Sequence, residues 1–398
     1  LATRSQTVKC MPGCSLKKDR HMRIRRGVHV PARDIVAFRR FPKSPIRPAA
    51  IALSASLLSA CSALGPSVVQ RDQPHYADAL SEASKQQLLL NIVKLRYLDA
   101  PALISVSQIV AGYSRSGSFT LGSQVLSDNL DLADDIAVGG SASFLENPTA
   151  TYVPIKGADY ARVLLTPVSP SDLFALVDGG APAEVALTLA LGSINGLVNR
   201  QVGANNAVRN VEPEFTEAVS LLAGLIAERE IGFRFDPGDE GLRSVTLLIR
   251  DDPTSAAVPR IQRLLKILRL KPESRVVPVR YGFGRGAGEE IVVDTRSFLQ
   301  ILSNLSADVQ PPEGHIEAGL TVAVNAEPTI GSIRILSSFR PLVPPSESYV
   351  SAAYRGNWFW IAENDLRSKR VFSVLLMLLS LFERTGPAAT PVIAIPTR

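Results

Sequence analysis

Beyond residue 60 the chain holds one cysteine, Cys61, and two histidines, His75 and His315. Zinc needs clustered His and Cys ligands, and a catalytic triad needs a histidine within reach of its nucleophile. The two histidines lie 240 positions apart, so their spacing supports neither. Gly112-Tyr113-Ser114-Arg115-Ser116-Gly117 lacks the Gly-x-Ser-x-Gly spacing of a nucleophile elbow, and Ser114 to Gly117 reads as a hairpin turn. Gly282 to Gly288 has the glycines that let backbone N–H groups approach a phosphate. Glu289-Glu290 follow, however, where a helix N-terminus would be needed, so this too reads as a hairpin loop. The carboxylate pairs Asp134-Asp135, Asp251-Asp252 and Glu289-Glu290 are chain neighbours. Glycosidic cleavage needs carboxyls about 5–10 Å apart across a cleft. In Trp358-Phe359-Trp360-Ile361 the tryptophans share one face of a strand. That face could stack on sugar rings, with Asp251 or Glu289 nearby, or form sheet core beneath the last helix. No catalytic residue, cofactor or metal is expected from these patterns.

Cys61 belongs to a different chemistry. It closes an apolar, small-residue run from Ala49 to Leu58 that follows a basic segment, the order of a secretory signal. The run is about ten residues, and a membrane-spanning helix needs about 20. Leu58-Ser59-Ala60-Cys61 resembles the lipobox of bacterial lipoprotein precursors at all four positions. The resemblance implies that Cys61 is thioether-linked to diacylglycerol, becomes the first mature residue and carries an N-terminal acyl chain such as palmitate. Ser62 is not the aspartate that retains many such proteins at the inner membrane. The resemblance therefore points to a lipid anchor in the outer membrane, on its periplasmic face.

Charge divides at the same place. Residues 1–48 carry 13 Lys/Arg and 2 Asp/Glu, whereas residues 61–398 carry 30 and 35. The basic balance of the whole chain thus belongs to the leader, and the body is mildly acidic. A nucleic-acid partner is not expected. Residues 1–60 read as a signal peptide with a mis-assigned N-terminal extension, because signals run about 15–30 residues. Met22, or Val28 or Val30, is the expected origin. Cys10 and Cys14 fall in that extension.

The fold class expected is α+β, with a strand-rich and helical N-terminal half and a mixed α/β C-terminal half containing split βαβ-like units. Residues 61–76 read as a lipidated tether, 77–230 as a strand-plus-helix domain, 231–385 as a mixed α/β domain and 386–398 as a Pro-rich tail. A helix is expected over 78–97, then two pairs of short strands over 103–155, and mainly helices over 158–229. Ser169-Pro170, Pro182 and Pro213 mark helix starts. Further strands are expected near 231–235, 244–250, 275–282, 289–293, 318–324, 332–339, 348–354 and 357–362. Helices are expected near 257–270, 295–307 and 365–384. The last contains Val371 to Phe382, too short to span a bilayer and suited to a core.

Three runs, Gln87 to Tyr97, Ser193 to Arg200 and Tyr354 to Trp360, are similar to an uncharacterised family of proteobacterial lipoproteins. That resemblance implies no established activity. The leading expectation is an envelope scaffold or protein-interaction module, not an enzyme, bound to the membrane through Cys61 and to other envelope proteins. The alternatives are a peptidoglycan- or polysaccharide-binding or hydrolytic lipoprotein, and a lipid or small-ligand carrier.

Overall fold

The computed structural model describes residues 66–124, 135–203, 207–237, 243–323, 327–339 and 345–383. For residues 66–73, 105–153, 243, 339 and 383 the description is of the backbone. Residues Gln70–Arg398 form one compact unit. The fold is α+β, as expected. Among the described residues no helix is long and apolar enough to cross a membrane.

Helix α1 runs Pro66–Arg96, so the segment expected to be a tether is already helical from Pro66. Proline is tolerated in a first turn, where its missing N–H costs nothing. Pro74 inside the helix forgoes one bond. Leu88, Leu89, Ile92 and Val93 form the buried stripe, and Lys94 and Arg96 oppose the helix dipole at its end.

Strands β1 (Ile104–Gln124) and β2 (Asp135–Pro154) follow. They correct the expected two pairs of short strands. Ser114 to Gly117 is mid-strand, paired with residues 142–145, and Gly139-Gly140 and Asn147-Pro148 do not break β2. Turn-forming residues set a local preference, but a continuous cross-strand ladder outweighs it.

Helices α2 (Gly157–Leu165), α3 (Pro170–Asp178) and α4 (Ala183–Ala190) lead directly into β3 (Leu191–Ile194) and β4 (Leu197–Val198). This hairpin was not among the helices expected over 158–229. Asn195 and Gly196 take φ of 45° and 80°, the left-handed pair of a tight hairpin. A short arm, β5 (Gln201–Val202) with β6 (Val208–Arg209), precedes α5 (Pro213–Ala227).

Strands β7 (Ile231–Pro237) and β8 (Arg243–Ile249), helix α6 (Val258–Ile267), strands β9 (Val276–Tyr281) and β10 (Ile291–Thr295) and helix α7 (Phe298–Ser306) complete the main layer. Its sheet has the order β4-β3-β10-β9-β8-β7. Residues on either side of the expected boundary at 230/231 therefore share one sheet. Val245, Leu247, Val277, Val279, Ile291 and Val293 form the buried face, while Val276, Pro278 and Arg280, which alternate with those of β9, are exposed. β9 and β10 are parallel, so Gly282 to Gly288 is not a hairpin loop but part of the connection that carries the chain back along β9.

Residues 318–323, the described part of the strand expected near 318–324, do not form it. The chain makes a short helix, α8 (Glu313–Glu317), and then a turn. Strands β11 (Leu336–Phe339), β12 (Ser348–Tyr354) and β13 (Asn357–Ala362) form a second sheet, ordered β11-β13-β12. Helix α9 (Leu366–Glu383) buries Val371, Phe372, Val374, Leu375, Leu378 and Phe382, which makes it the core helix its apolar run suggests.

Candidate functional site

Cys61, the expected lipid-attachment residue, lies outside the described residues. What the described residues present are a ribbon, a cluster of polar side chains near its root, and an open cleft beside that cluster.

The ribbon is β1 with β2. Antiparallel pairing runs from Ile104↔Pro154 to Gln124↔Asp135, with one register shift between Val106 and Gln108. At about 3.3 Å per residue, strands of this length extend on the order of 65 Å. Among the described residues each of these strands pairs only with the other. The root is clamped. Asn91 Nδ2 donates to the Ala102 carbonyl at 2.8 Å, and the Ala102 N–H donates back to Oδ1 at 2.9 Å. Gln87 Nε2 reaches the same carbonyl, and Tyr160 Oη donates to the Pro101 carbonyl at 2.6 Å.

At the end of α1 four segments converge. Tyr97 Oη lies 2.7 Å from His315 Nδ1, and His315 Nε2 lies 3.0 Å from Asn357 Nδ2. The Asn357 amide nitrogen also donates to the Arg355 carbonyl. As a donor it makes His315 Nε2 an acceptor, which places the ring proton on Nδ1, donating to Tyr97 Oη. Burial pushes the Tyr97 phenol up to about 12. Tyr354 Oη donates to Asp99 Oδ2, and Arg355 donates to the same oxygen at 3.1 Å. Those two bonds, Tyr354 first, hold Asp99 below the usual carboxylate range. His315, isolated in the sequence, thus sits in a built hydrogen-bond chain. His75 is an exposed residue of α1.

Beside this cluster opens a cleft of about 970 Å³, with Leu95, Asp99, Val202, Asp294, Leu299 and Gln300 among its lining residues. The Asp294 carboxylate accepts no hydrogen bond or ion pair from the described residues. Partial burial raises its affinity for a proton, and Arg296 pulls the other way. A side chain at residue 192 would meet Asp294 Oδ2 at 2.7 Å, so Gly192 makes room for the carboxylate. The cleft floor is a buried knot. Arg296 donates to the carbonyls of Thr188, Leu189 and Arg200. Desolvation lowers it to about 9, still protonated at neutral pH. Arg200 makes two bonds to Asp308, at 2.8 and 3.2 Å, and others to Asn304 O and Ser332 Oγ. The residue pattern alone singles out neither Arg296 nor Asp308. Asn199-Arg200, within one of the three resembling runs, was the visible signal.

The tryptophans sit on the central strand of the smaller sheet. Phe359 and Ile361 form its fully buried face, and Trp358 and Trp360 are half-buried on the other. Trp358 lines a groove of about 380 Å³ with Gln86, Gln87 and Leu90 of α1. Asp251 follows β8 and Glu289 precedes β10, so the structure places both on connections of the other sheet. Glu289 is bonded to Lys271. Among the described residues no group of three or more His, Cys, Asp or Glu is placed to hold a metal ion. Comparison with family models, with curated proteins and with solved structures finds no match to this chain.

Proposed function

We propose that this chain is a lipid-anchored protein of the bacterial outer membrane, held on the periplasmic side through Cys61, which works as a scaffold or interaction module and not as an enzyme. The observation that carries the reading is the long β1–β2 ribbon, clamped at its root, whose strands pair only with each other among the described residues. Exposed strand edges are templates for pairing with another chain. The lipobox at residues 58–61 supports the anchor. Crosslinking in the native host, followed by mild-detergent purification and mass spectrometry, tests both parts. A stoichiometric partner or self-assembly, with diacylglycerol on Cys61, is the expected result. A strictly monomeric chain with no crosslinked neighbour would remove the scaffold.

A second reading has its own observation. The cleft holding Asp294 mixes apolar residues such as Leu95, Val202 and Leu299 with polar ones, and its carboxylate accepts no hydrogen bond from the described residues, which suits a small cationic ligand with an apolar body. Native mass spectra of the purified chain should then show a bound small molecule that Asp294→Asn releases. Spectra of the apo mass alone count against carriage.

A further inference from the structure

Building on that anchored interaction module, we propose that copies of this chain join their β1–β2 ribbons edge to edge into a closed β-barrel that crosses the bilayer.

The argument starts from the backbone. A two-stranded hairpin is marginal in water, and one of about twenty residues per strand leaves two long rows of backbone groups to be satisfied. Water can satisfy them, but hydrocarbon cannot, and there only closure of the sheet removes both edges. The outer edge of β1 in one copy and the outer edge of β2 in the next are complementary, so the contact is head-to-tail and can close into a ring.

The register then sorts the residues. In the half nearer the tip, Gly117, Phe119, Leu121 and Ser123 stand opposite Ala142, Gly140, Val138 and Ile136. These positions share one face. Ser116, Ser118, Thr120 and Gly122, opposite Ser143, Ser141, Gly139 and Ala137, share the other. One face is apolar or small and the other is small and mainly polar, the alternation of a membrane barrel strand. Neither 116–124 nor 136–143 contains a charged residue. The band is therefore about eight or nine residues per strand, close to the 9–11 that a tilted strand needs to cross the hydrocarbon.

Charge brackets this band at both ends. Arg115 and Glu146 come first on the root side, and Asp128, Asp131, Asp134 and Asp135 lie beyond it in the sequence. A hairpin lying on a soluble surface has no reason for an uncharged band of bilayer length. A second copy as the partner follows from the edges themselves, since each ribbon supplies both halves of the contact. The smallest membrane barrels have about eight strands, so a ring needs at least about four copies. The root half, with its clamp at Asn91 and Tyr160, would then join the barrel to the body on the periplasmic side.

The test uses the full anchored chain extracted in mild detergent, with particle mass and single-channel conductance in planar bilayers as readouts. The native chain should run as a ring of several copies and conduct. Leu121→Asp, on the apolar face, should cut channel insertion at least tenfold while thermal melting of the body stays unchanged. Ser118→Asp, on the polar face, should keep the ring and shift its selectivity toward cations. A native chain that is monomeric or does not conduct, or two variants with equal effects, would overturn the barrel. Intact mass of the same sample separates this from the reading beneath it. Acylated Cys61 with a different stoichiometric partner sinks the barrel and keeps the anchored module. A conducting ring with unmodified Cys61 keeps the barrel and removes the anchor.

Discussion

Arg200 and Arg296 are almost sealed from solvent and find their partners inside the chain, while among the described residues β1 and β2 find only each other. Both regions carry polar groups that water alone would otherwise have to satisfy. In the knot those groups are drawn from residues 188 to 332, with Asp308 neutralising Arg200 and backbone carbonyls receiving Arg296. In the ribbon, every described backbone pairing is between two strands joined by a short connection. The difference separates a region tied to many distant segments from one tied, along its strands, to itself.

Substitutions can break that comparison, and the largest effect should fall in the knot. Arg200→Ala leaves the Asp308 carboxylate buried and uncompensated, which should cost about 3–5 kcal/mol. Urea denaturation should show a large drop in midpoint, and a drop near zero would mean that the knot does not hold the body together. Asn195→Ala comes next. It removes the acceptor of the Val292 N–H, at 2.6 Å, and the donor to the Leu268 carbonyl, at 2.8 Å. It also leaves a φ of 45° without the residue type that tolerates it. The expected cost is about 2 kcal/mol, read from the same denaturation curves.

Asp294→Asn tests the cleft and should act with the opposite sign. Burial raises the folded-state pKa of Asp294 above its unfolded value, so the ionised carboxylate weakens the fold at neutral pH. Asparagine removes that penalty. The gain should be about 0.3 kcal/mol at pH 7, small because the group is only partly buried and solvent screens it. It should fade as pH falls through the folded pKa and vanish below about 3.9. Paired urea curves at pH 7 and pH 4 measure it, and destabilisation at pH 7 would mean that the carboxylate has a protein partner. The smallest effect is expected in the ribbon. Replacing 116–143 by a short Gly-Ser linker should leave the melting temperature of the body where it was. A loss of several degrees would make the ribbon part of the core and dissolve the comparison.

Periodicity made the helices over 258–267, 298–306 and 366–383 legible, along with most strands after residue 231, because each alternates or repeats on its own. The ribbon was harder. Gly117, Gly139-Gly140 and Pro148 are strong local turn signals, and only the cross-strand register from Ile104 to Asp135 overrides them. The hairpin at Asn195-Gly196 had its turn signal in plain view, but the apolar residues before it continue those of α4 without a break. His315 could not be placed, since Tyr97 is 218 residues away. Yet the three runs that carry the lipoprotein resemblance supply Asn91 and Tyr97, Asn195 and Arg200, and Tyr354 and Asn357. Asn91 bonds Ala102 only eleven residues on, but the others have partners in distant segments, and no local pattern encodes such contacts.

The sheet order has a consequence for how the molecule comes into being. Ile194 pairs with Val293, so β3 waits for β10 while nearly a hundred residues are still to be made or delivered. Long-range pairing of this kind is slow, because loop closure must be met before the contact rewards it. The ribbon needs no such wait, since its strands are neighbours in the chain. A chain emerging from its N-terminus therefore has its most association-prone element ready before the body that carries it can close, and the interval between the two is when self-association must be held off.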